Sequence, residues 1–150
     1  MIAFADTSFL CSVYREQIHS SAADRYLQAR LLPLTVSSLL LLEFRQSVRL
    51  QTRLFSLDRQ KGFSAKESFL MLNDLRQDLD RGVIRSEPVD WSMVHRLAEA
   101  LSEKHTASGG HRLIDILHVA TGLHLGAREF LTFDANQRAL AEAEGMTVPL

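Results

Sequence analysis

The stretch LIDILHVATGLHLGAREFLTFD, residues 113–134, decides the fold of this chain. Its first part, Leu113 to Leu125, is apolar on most of its circumference, which predicts a helix covered on more than one side. Its second part, Glu129 to Phe133, is a short apolar run typical of a buried strand, and it ends at Asp134. A covered helix that leads into a buried strand is typical of a parallel sheet flanked by helices.

The rest of the chain alternates in the same way between short apolar runs and helical patterns. Further strands are predicted at Met1 to Ala5, Leu34 to Val36, Val83 to Ile84 and Thr147 to Val148. Helix starts are predicted at Ser37 or Ser38, at the capping box of Ser64 and Glu67, and at Asp90, whose helix is expected to end in the loop Ser108-Gly109-Gly110. We therefore expect one domain over residues 1–150, a three-layer α/β/α sandwich with a mainly parallel central sheet of four to five short strands.

Composition narrows the classes of function. With 150 residues and 46% hydrophobic content, the chain can bury a proper core. The net charge of -1 excludes a strong, indiscriminate nucleic-acid binder, although 14 of the 17 basic residues are arginines, which suit local phosphate contacts. The lone Cys11 forms no disulfide framework, and no signal peptide or bilayer-length apolar run is present, so we expect a cytoplasmic protein without a membrane segment.

Four acidic residues lie next to apolar segments, where carboxylates are costly unless a cation or hydrogen bonds compensate them. They are Asp6, Glu43, Asp115 and Asp134. Asp6 and Asp134 each follow a predicted strand, and the carboxyl ends of parallel strands form the usual site edge of such sheets. Glu43 and Asp115 lie on helices that can flank the same cleft.

A divalent cation is the simplest shared partner for these carboxylates. Hard oxygen ligands favour Mg²⁺ or Mn²⁺, and the absence of a cysteine or paired-histidine set disfavours structural zinc. Carboxylates around such ions are a recurring arrangement for phosphodiester hydrolysis. One metal or two remains open at this point.

Each carboxylate also has an ordinary structural explanation. Asp6 and Asp134 can serve only as helix N-caps. Glu43 can be a helix-surface residue, and Asp115 can pair with Arg112 three positions earlier.

At these residues the chain resembles the PIN-domain ribonucleases, and within them the VapC-type toxins of toxin-antitoxin pairs. Residues 5–10, ADTSFL, are similar to the family's first acidic motif, and residues 42–44, LEF, to its second. The stretch quoted at the start is similar to the third and fourth motifs in wording and spacing. Two departures stand out: the long interval between Glu43 and Asp115, and Asn136 where some members carry an extra acid.

The resemblance implies a Mg²⁺- or Mn²⁺-dependent endoribonuclease, the toxin of a type II toxin-antitoxin pair. It maps Asp6, Glu43, Asp115 and Asp134 onto the acidic quartet as metal ligands and catalytic residues. Ser8 and Thr132 fall where the family places hydroxyl groups that orient water or carboxylates. It further implies an RNA substrate, a homodimer and a cognate antitoxin.

Other interpretations stay open beside this one. The function can also be that of an RNA-processing nuclease without a toxin role, a catalytically silent PIN-like binding module, or a phosphatase with an aspartyl nucleophile. Arg45, Arg49 and Arg53 share a helix face that can contact the RNA backbone or serve only as a solvated surface. For His118 we favour a structural role, and His111 is left undecided.

Overall fold

The sheet at the centre of the molecule is parallel and has four strands. A computed structural model describes residues 1–150. The strands are β1 (Ala3–Ala5), β2 (Leu34–Val36), β3 (Ile84–Ser86) and β4 (Glu129–Leu131), in the order β3-β2-β1-β4. The chain moves outward from β1 through β2 to β3 and then crosses to the other side of β1 to form β4. The strand order therefore reverses between β1 and β4.

Helices flank this sheet and fill the connections between the strands. They are α1 (Thr7–Tyr14), α2 (Ser20–Ala29), α3 (Ser38–Leu57), α4 (Ala65–Asp80), α5 (Trp91–Leu101), the short α6 (Ala107–Gly109), α7 (Leu113–His124) and α8 (Ala135–Ala143). The predicted α/β sandwich with a parallel sheet is thus confirmed. None of the helices combines the length and the apolar composition needed to cross a bilayer.

Two local predictions were wrong. Thr147 makes a single bridge to Glu129 instead of opening a fifth strand, because Pro149 has no N–H to continue the ladder. Residues 108–109 are helical instead of forming a loop, since a π-helical turn over Ser102–Thr106 extends α5 into α6. Only Gly110 has the left-handed backbone, φ 65°, that ends the helix.

The core consists of aromatic and aliphatic side chains on both faces of the sheet. Phe4 and Phe130 are paired across β1 and β4, are fully buried, and stack with ring centroids 5.9 Å apart. Helix α7 lies close to β4. The distance from a Cβ added at Gly122 to the Phe130 ring would be only 3.4 Å. This close approach sets the position of α7, which carries Asp115 and His118, relative to the ends of the strands.

Two glycines with left-handed backbones, one between α3 and α4 and one after α4, allow a test of backbone packing at the α3–α4 turn. Gly62 and Gly82 both have left-handed backbones, with φ 70° and 72°. A Cβ at Gly62 would lie 2.0 Å from the Gln51 carbonyl oxygen, whereas nothing lies within 4 Å of one at Gly82. We expect Gly82→Ala to lower the free energy of unfolding by about 1–2 kcal/mol through backbone strain alone. Gly62→Ala should cost at least about 1 kcal/mol more, because backbone atoms must move.

Urea denaturation of the two variants, with the slopes compared to exclude a change in the unfolded state, measures this difference. Equal losses in the two variants would contradict the packing described for the α3–α4 turn.

Candidate active site

The candidate site lies at the carboxyl edge of the sheet, where the strand order reverses. Asp6 directly follows β1, while Thr132, Phe133 and Asp134 directly follow β4, the neighbouring strand. Crevices at such switch points are the usual binding sites of open parallel sheets. The sequence predicted this location from Asp6 and Asp134 alone.

Asp6 is fully buried, and both of its oxygens accept hydrogen bonds. Oδ1 accepts hydrogen bonds from the backbone N–H of Phe9 at 2.8 Å and from Ser8 Oγ at 2.8 Å. Oδ2 accepts from Thr132 Oγ1 at 2.6 Å and lies 3.0 Å from Ser8 Oγ. Asp6 is therefore the N-cap of α1, as one interpretation held, and at the same time the centre of a polar cluster.

The hydroxyl groups of Ser8 and Thr132 join the ends of the two central strands. Ser8 Oγ accepts from the backbone N–H of Phe133 at 2.9 Å, and Thr132 Oγ1 accepts from that of Asp134 at 3.0 Å. Both hydroxyls also donate to Asp6, so each one spans from β1 to the segment after β4. They fix the backbone that carries Asp134 relative to the Asp6 carboxylate.

Burial raises the pKa of Asp6 to about 6, against an ordinary value of 3.8, although the hydroxyl and backbone donors around it lower the pKa. No arginine or lysine forms an ion pair with this carboxylate. A fully buried carboxylate with donors but without a cation is electrostatically incomplete in its ionised form. This is the clearest sign in the structure that the site can accept a positive charge.

Glu43 lies on α3, and two donors hold one of its oxygens. Thr7 Oγ1 donates to Glu43 Oε2 at 2.5 Å, and His118 Nε2 lies 2.6 Å from the same oxygen. Because an ionised carboxylate only accepts, His118 carries its proton on Nε2. Burial raises the pKa of Glu43, but donation from His118 and Thr7 outweighs it and leaves the pKa below its ordinary value.

Asp115 lies in the first turn of α7, is 3% exposed, and is paired with Arg112. Arg112 donates through Nε to Oδ2 at 2.8 Å and through a terminal nitrogen to Oδ1 at 3.1 Å. The predicted pairing of these two residues is therefore present as a bidentate contact. Hydrogen bonding and charge from Asp115 raise the pKa of Arg112, and Asp134 and Glu43 contribute to this shift by charge alone.

Asp134 is the N-cap of α8, with Oδ1 accepting from the backbone N–H groups of Asn136 and Gln137, both at 2.9 Å. Its other oxygen, Oδ2, accepts no hydrogen bond from the protein, and neither does Glu43 Oε1. These two oxygens are free to contact a ligand. The cap and site interpretations of Asp134 are thus compatible.

The donor set suits a hard divalent cation in its chemistry, since it consists of carboxylate and hydroxyl oxygens. In the conformation described, however, no three histidine, cysteine, aspartate or glutamate side chains are grouped so as to hold a metal ion. Asp115 in particular is committed to Arg112. The residues whose chemistry could hold a cation are Asp6, Glu43, Asp115 and Asp134.

Sequence reasoning missed Thr7 as a partner of Glu43. For His118 it favoured a hydrogen-bonded structural role, and the helical stripe that His118 forms with Asp115 placed it at a plausible wall of the site. The structure agrees with that role, since His118 is 1% exposed, contacts Glu43 through Nε2 and leaves Nδ1 without a partner. For Thr7 the sequence held no signal except its position directly after Asp6.

The remaining predicted residues lie farther from this cluster. Arg49 and Arg53 are exposed on α3, Arg45 is half-buried, and none of the three forms an ion pair. Asn136, which stands where some relatives have an acid, is hydrogen-bonded to the His111 ring and donates to the Gly109 carbonyl at 2.9 Å. It therefore joins α8 to the turn before α7.

Comparisons with known proteins agree with this geometry. The sequence model of the PIN domain matches residues 3–143. Among solved structures, the chain is similar to VapC20 of Mycobacterium tuberculosis, described as a toxin that cleaves the sarcin-ricin loop, with a TM-score of 0.68 and 18% identity over 97% of this chain and 96% of that one. FitAcB of Neisseria gonorrhoeae gives a TM-score of 0.60 and 16% identity over 98% and 96% of the two chains. No curated protein sequence matches significantly.

A third similar structure is PAE2754 of Pyrobaculum aerophilum, with a TM-score of 0.56 and 15% identity over 96% of this chain and 86% of that one. At these identities the structural matches establish the fold.

The raised pKa of Asp6 predicts an unusual pH dependence of stability. The folded state keeps the Asp6 proton up to a pKa of about 6, while the unfolded state loses it near 3.8. The folded state therefore binds more protons in this window, and the Asp6 contribution to stability falls as pH rises through it. Asp6→Asn cannot ionise, so its stability relative to the parent should increase by about 2–3 kcal/mol between about pH 4 and pH 7.

Urea unfolding in EDTA at several pH values measures the change. Asp90→Asn is the matched control, because Asp90 is also an N-cap but is exposed. Donation by Ser92 and Met93 lowers the pKa of Asp90. The stability of Asp90→Asn relative to the parent should therefore change with pH in the opposite direction. If the free energy of unfolding of Asp6→Asn relative to the parent does not vary with pH, the proposed desolvation of Asp6 is contradicted.

Proposed function

The chain belongs to the PIN domain family, and on that basis we propose that it is a Mg²⁺- or Mn²⁺-dependent endoribonuclease that hydrolyses RNA phosphodiester bonds. The observation that supports this most strongly is the buried, cation-free Asp6 at the strand switch point, joined through Thr132 to Asp134. Glu43 contacts His118 of α7, the helix that also carries Asp115.

In the proposed site, Asp6, Glu43, Asp115 and Asp134 would hold the cation. When bound, a divalent ion of this kind polarises a phosphate oxygen and makes water a better nucleophile at neutral pH. The protein contributes orientation: Ser8 and Thr132 fix both oxygens of Asp6, and Thr7 and His118 fix one oxygen of Glu43. Second-shell donors of this kind set the direction of carboxylate lone pairs.

The phosphatase alternative has less support, because the chain has Ser8 where such enzymes commonly have a second aspartate. A processing nuclease and a silent binding module remain as alternatives to the toxin role.

We propose the toxin of a type II toxin-antitoxin pair as the biological role, acting in the cytoplasm as a homodimer with a cognate antitoxin. The similarity to VapC20, itself described as a toxin, supports this role. A shallow groove of about 390 Å³ between α3, α5 and α7 supports a protein partner. Its apolar lining includes Leu39, Leu42, Trp91 and Leu117, and Leu42 is 61% exposed.

Substitution of the acidic residues tests the enzymatic proposal. Purified protein should cleave RNA with Mn²⁺ and lose activity in EDTA. Asp6→Ala and Asp115→Asn should each lower the rate by roughly 10²-fold or more, the scale typical of losing one electrostatic contact to a developing charge. Asp90→Asn, an exposed N-cap on α5, should leave the rate unchanged.

Cleavage that persists in EDTA, or that is equal in all four proteins, would refute the proposal. Mn²⁺ binding without cleavage of any RNA tested would favour the silent module.

The arginine face of α3 predicts a salt-dependent contribution to RNA binding. If Arg45, Arg49 and Arg53 contact phosphates, each alanine substitution should reduce the slope of log affinity against log salt by about 0.7, the value for one phosphate of a single strand. Fluorescence anisotropy with a short single-stranded RNA, in an Asp115→Asn background that leaves the RNA intact, measures this slope. Arg85→Ala, an exposed arginine on β3, is the control. If the slopes of the three variants match that of the control, these arginines do not contact phosphates and form only a solvated surface.

A further inference from the structure

Arg112 has a position that its own helix does not explain. It is the N-cap residue of α7, yet its side chain makes no capping hydrogen bond. A positive charge at a helix N-terminus is unfavourable to the helix dipole, and Asp115 in the first turn already supplies the favourable negative charge. The reason for Arg112 at this position therefore lies in the acidic cluster and not in the helix.

The contact between Arg112 and Asp115 combines a buried carboxylate with an exposed guanidinium. The Asp115 side chain is 4% exposed, whereas that of Arg112 is 72% exposed. Asp115 needs a cationic partner, because a buried carboxylate left unpaired is strongly destabilising. Arg112 does not need Asp115, since water can solvate the guanidinium once it leaves.

The fork of Arg112 uses both oxygens of Asp115, at 2.8 and 3.1 Å. Glu43 and Asp134, which the proposed function also assigns to the cation, contribute by charge to the raised pKa of this guanidinium. The fork takes up one lone pair on each oxygen of Asp115, so a divalent ion at this carboxylate competes with the guanidinium for the same negative charge.

We propose that Arg112 is an exchangeable counter-ion of the acidic site: it neutralises Asp115 in the metal-free protein and releases it when a divalent cation binds. The inference rests on the proposed function, because it requires that the site take up a cation. It makes Arg112 a positioning residue that keeps Asp115 ionised and oriented before the cation enters. It also makes the affinity for the cation lower than the carboxylates alone would give.

Mn²⁺ titration calorimetry on the full chain tests the exchange. Arg112→Ala should bind Mn²⁺ about tenfold more tightly than the parent protein, because Asp115 no longer has to give up a partner. Arg112→Lys, which keeps the charge but loses the fork, should fall between the two. Arg85→Ala removes an equal charge from β3 and should bind like the parent.

A double-mutant cycle separates exchange at Asp115 from a diffuse effect of charge. In an Asp115→Asn background, Arg112→Ala should no longer increase the Mn²⁺ affinity. Two results would overturn the inference and leave the proposed function standing. One is a full increase in Mn²⁺ affinity in that background, and the other is equal Mn²⁺ affinity of Arg112→Ala and the parent. If the parent protein itself fails to bind Mn²⁺, the metal requirement of the proposed function falls, and the exchange falls with it.

Thermal unfolding gives a second readout that does not depend on activity. Without metal, Arg112→Ala should melt below the parent, since buried Asp115 has lost its cation. At saturating Mn²⁺ the two should melt at the same temperature, because Arg112 no longer contacts Asp115 in either protein. A deficit that persists unchanged at saturating Mn²⁺ would identify a permanent structural ion pair and contradict the exchange.

Discussion

The rest of the site depends on the burial of the Asp6 carboxylate at the end of β1. Desolvation of this group must be compensated, and the hydroxyls of Ser8 and Thr132 and the backbone N–H of Phe9 do so only in part, since the pKa stays raised to about 6. The same hydroxyls also accept from the backbone that follows β4. One buried carboxylate thereby couples the register of the two central strands to the position of Asp134.

Each carboxylate of the acidic cluster accepts hydrogen bonds from a different set of donors. Glu43 is held by Thr7 and His118, Asp115 by Arg112, and one oxygen of Asp134 by the start of α8. In the conformation described, no three histidine, cysteine, aspartate or glutamate side chains are grouped so as to hold a metal ion. Under the proposed function, a cation competes with these internal donors, most directly with Arg112 at Asp115.

Much of the fold could be predicted from the sequence because its local signals agree with the tertiary structure. The buried run before Asp6, the capping box at Ser64 and the apolar α7 each specify one element, and their alternation specifies a parallel sheet. The prediction failed where a boundary depends on a few backbone hydrogen bonds, as at Thr147 and in the π-helical turn. In the site, the residues that follow strands were predicted, but the contacts of Thr7 and His118 with Glu43 were not, because they form only when α1, α3 and α7 pack together.

The central claim is that the four carboxylates of the acidic cluster bind a divalent cation, and that Arg112 pairs with Asp115 until the cation binds. Anomalous scattering from a crystal soaked in Mn²⁺ tests it most directly. The account predicts a strong peak among Asp6, Glu43, Asp115 and Asp134, with the Arg112 guanidinium displaced from Asp115. A protein crystallised with Mn²⁺ that shows no peak there, and an intact Arg112–Asp115 pair, would contradict the account.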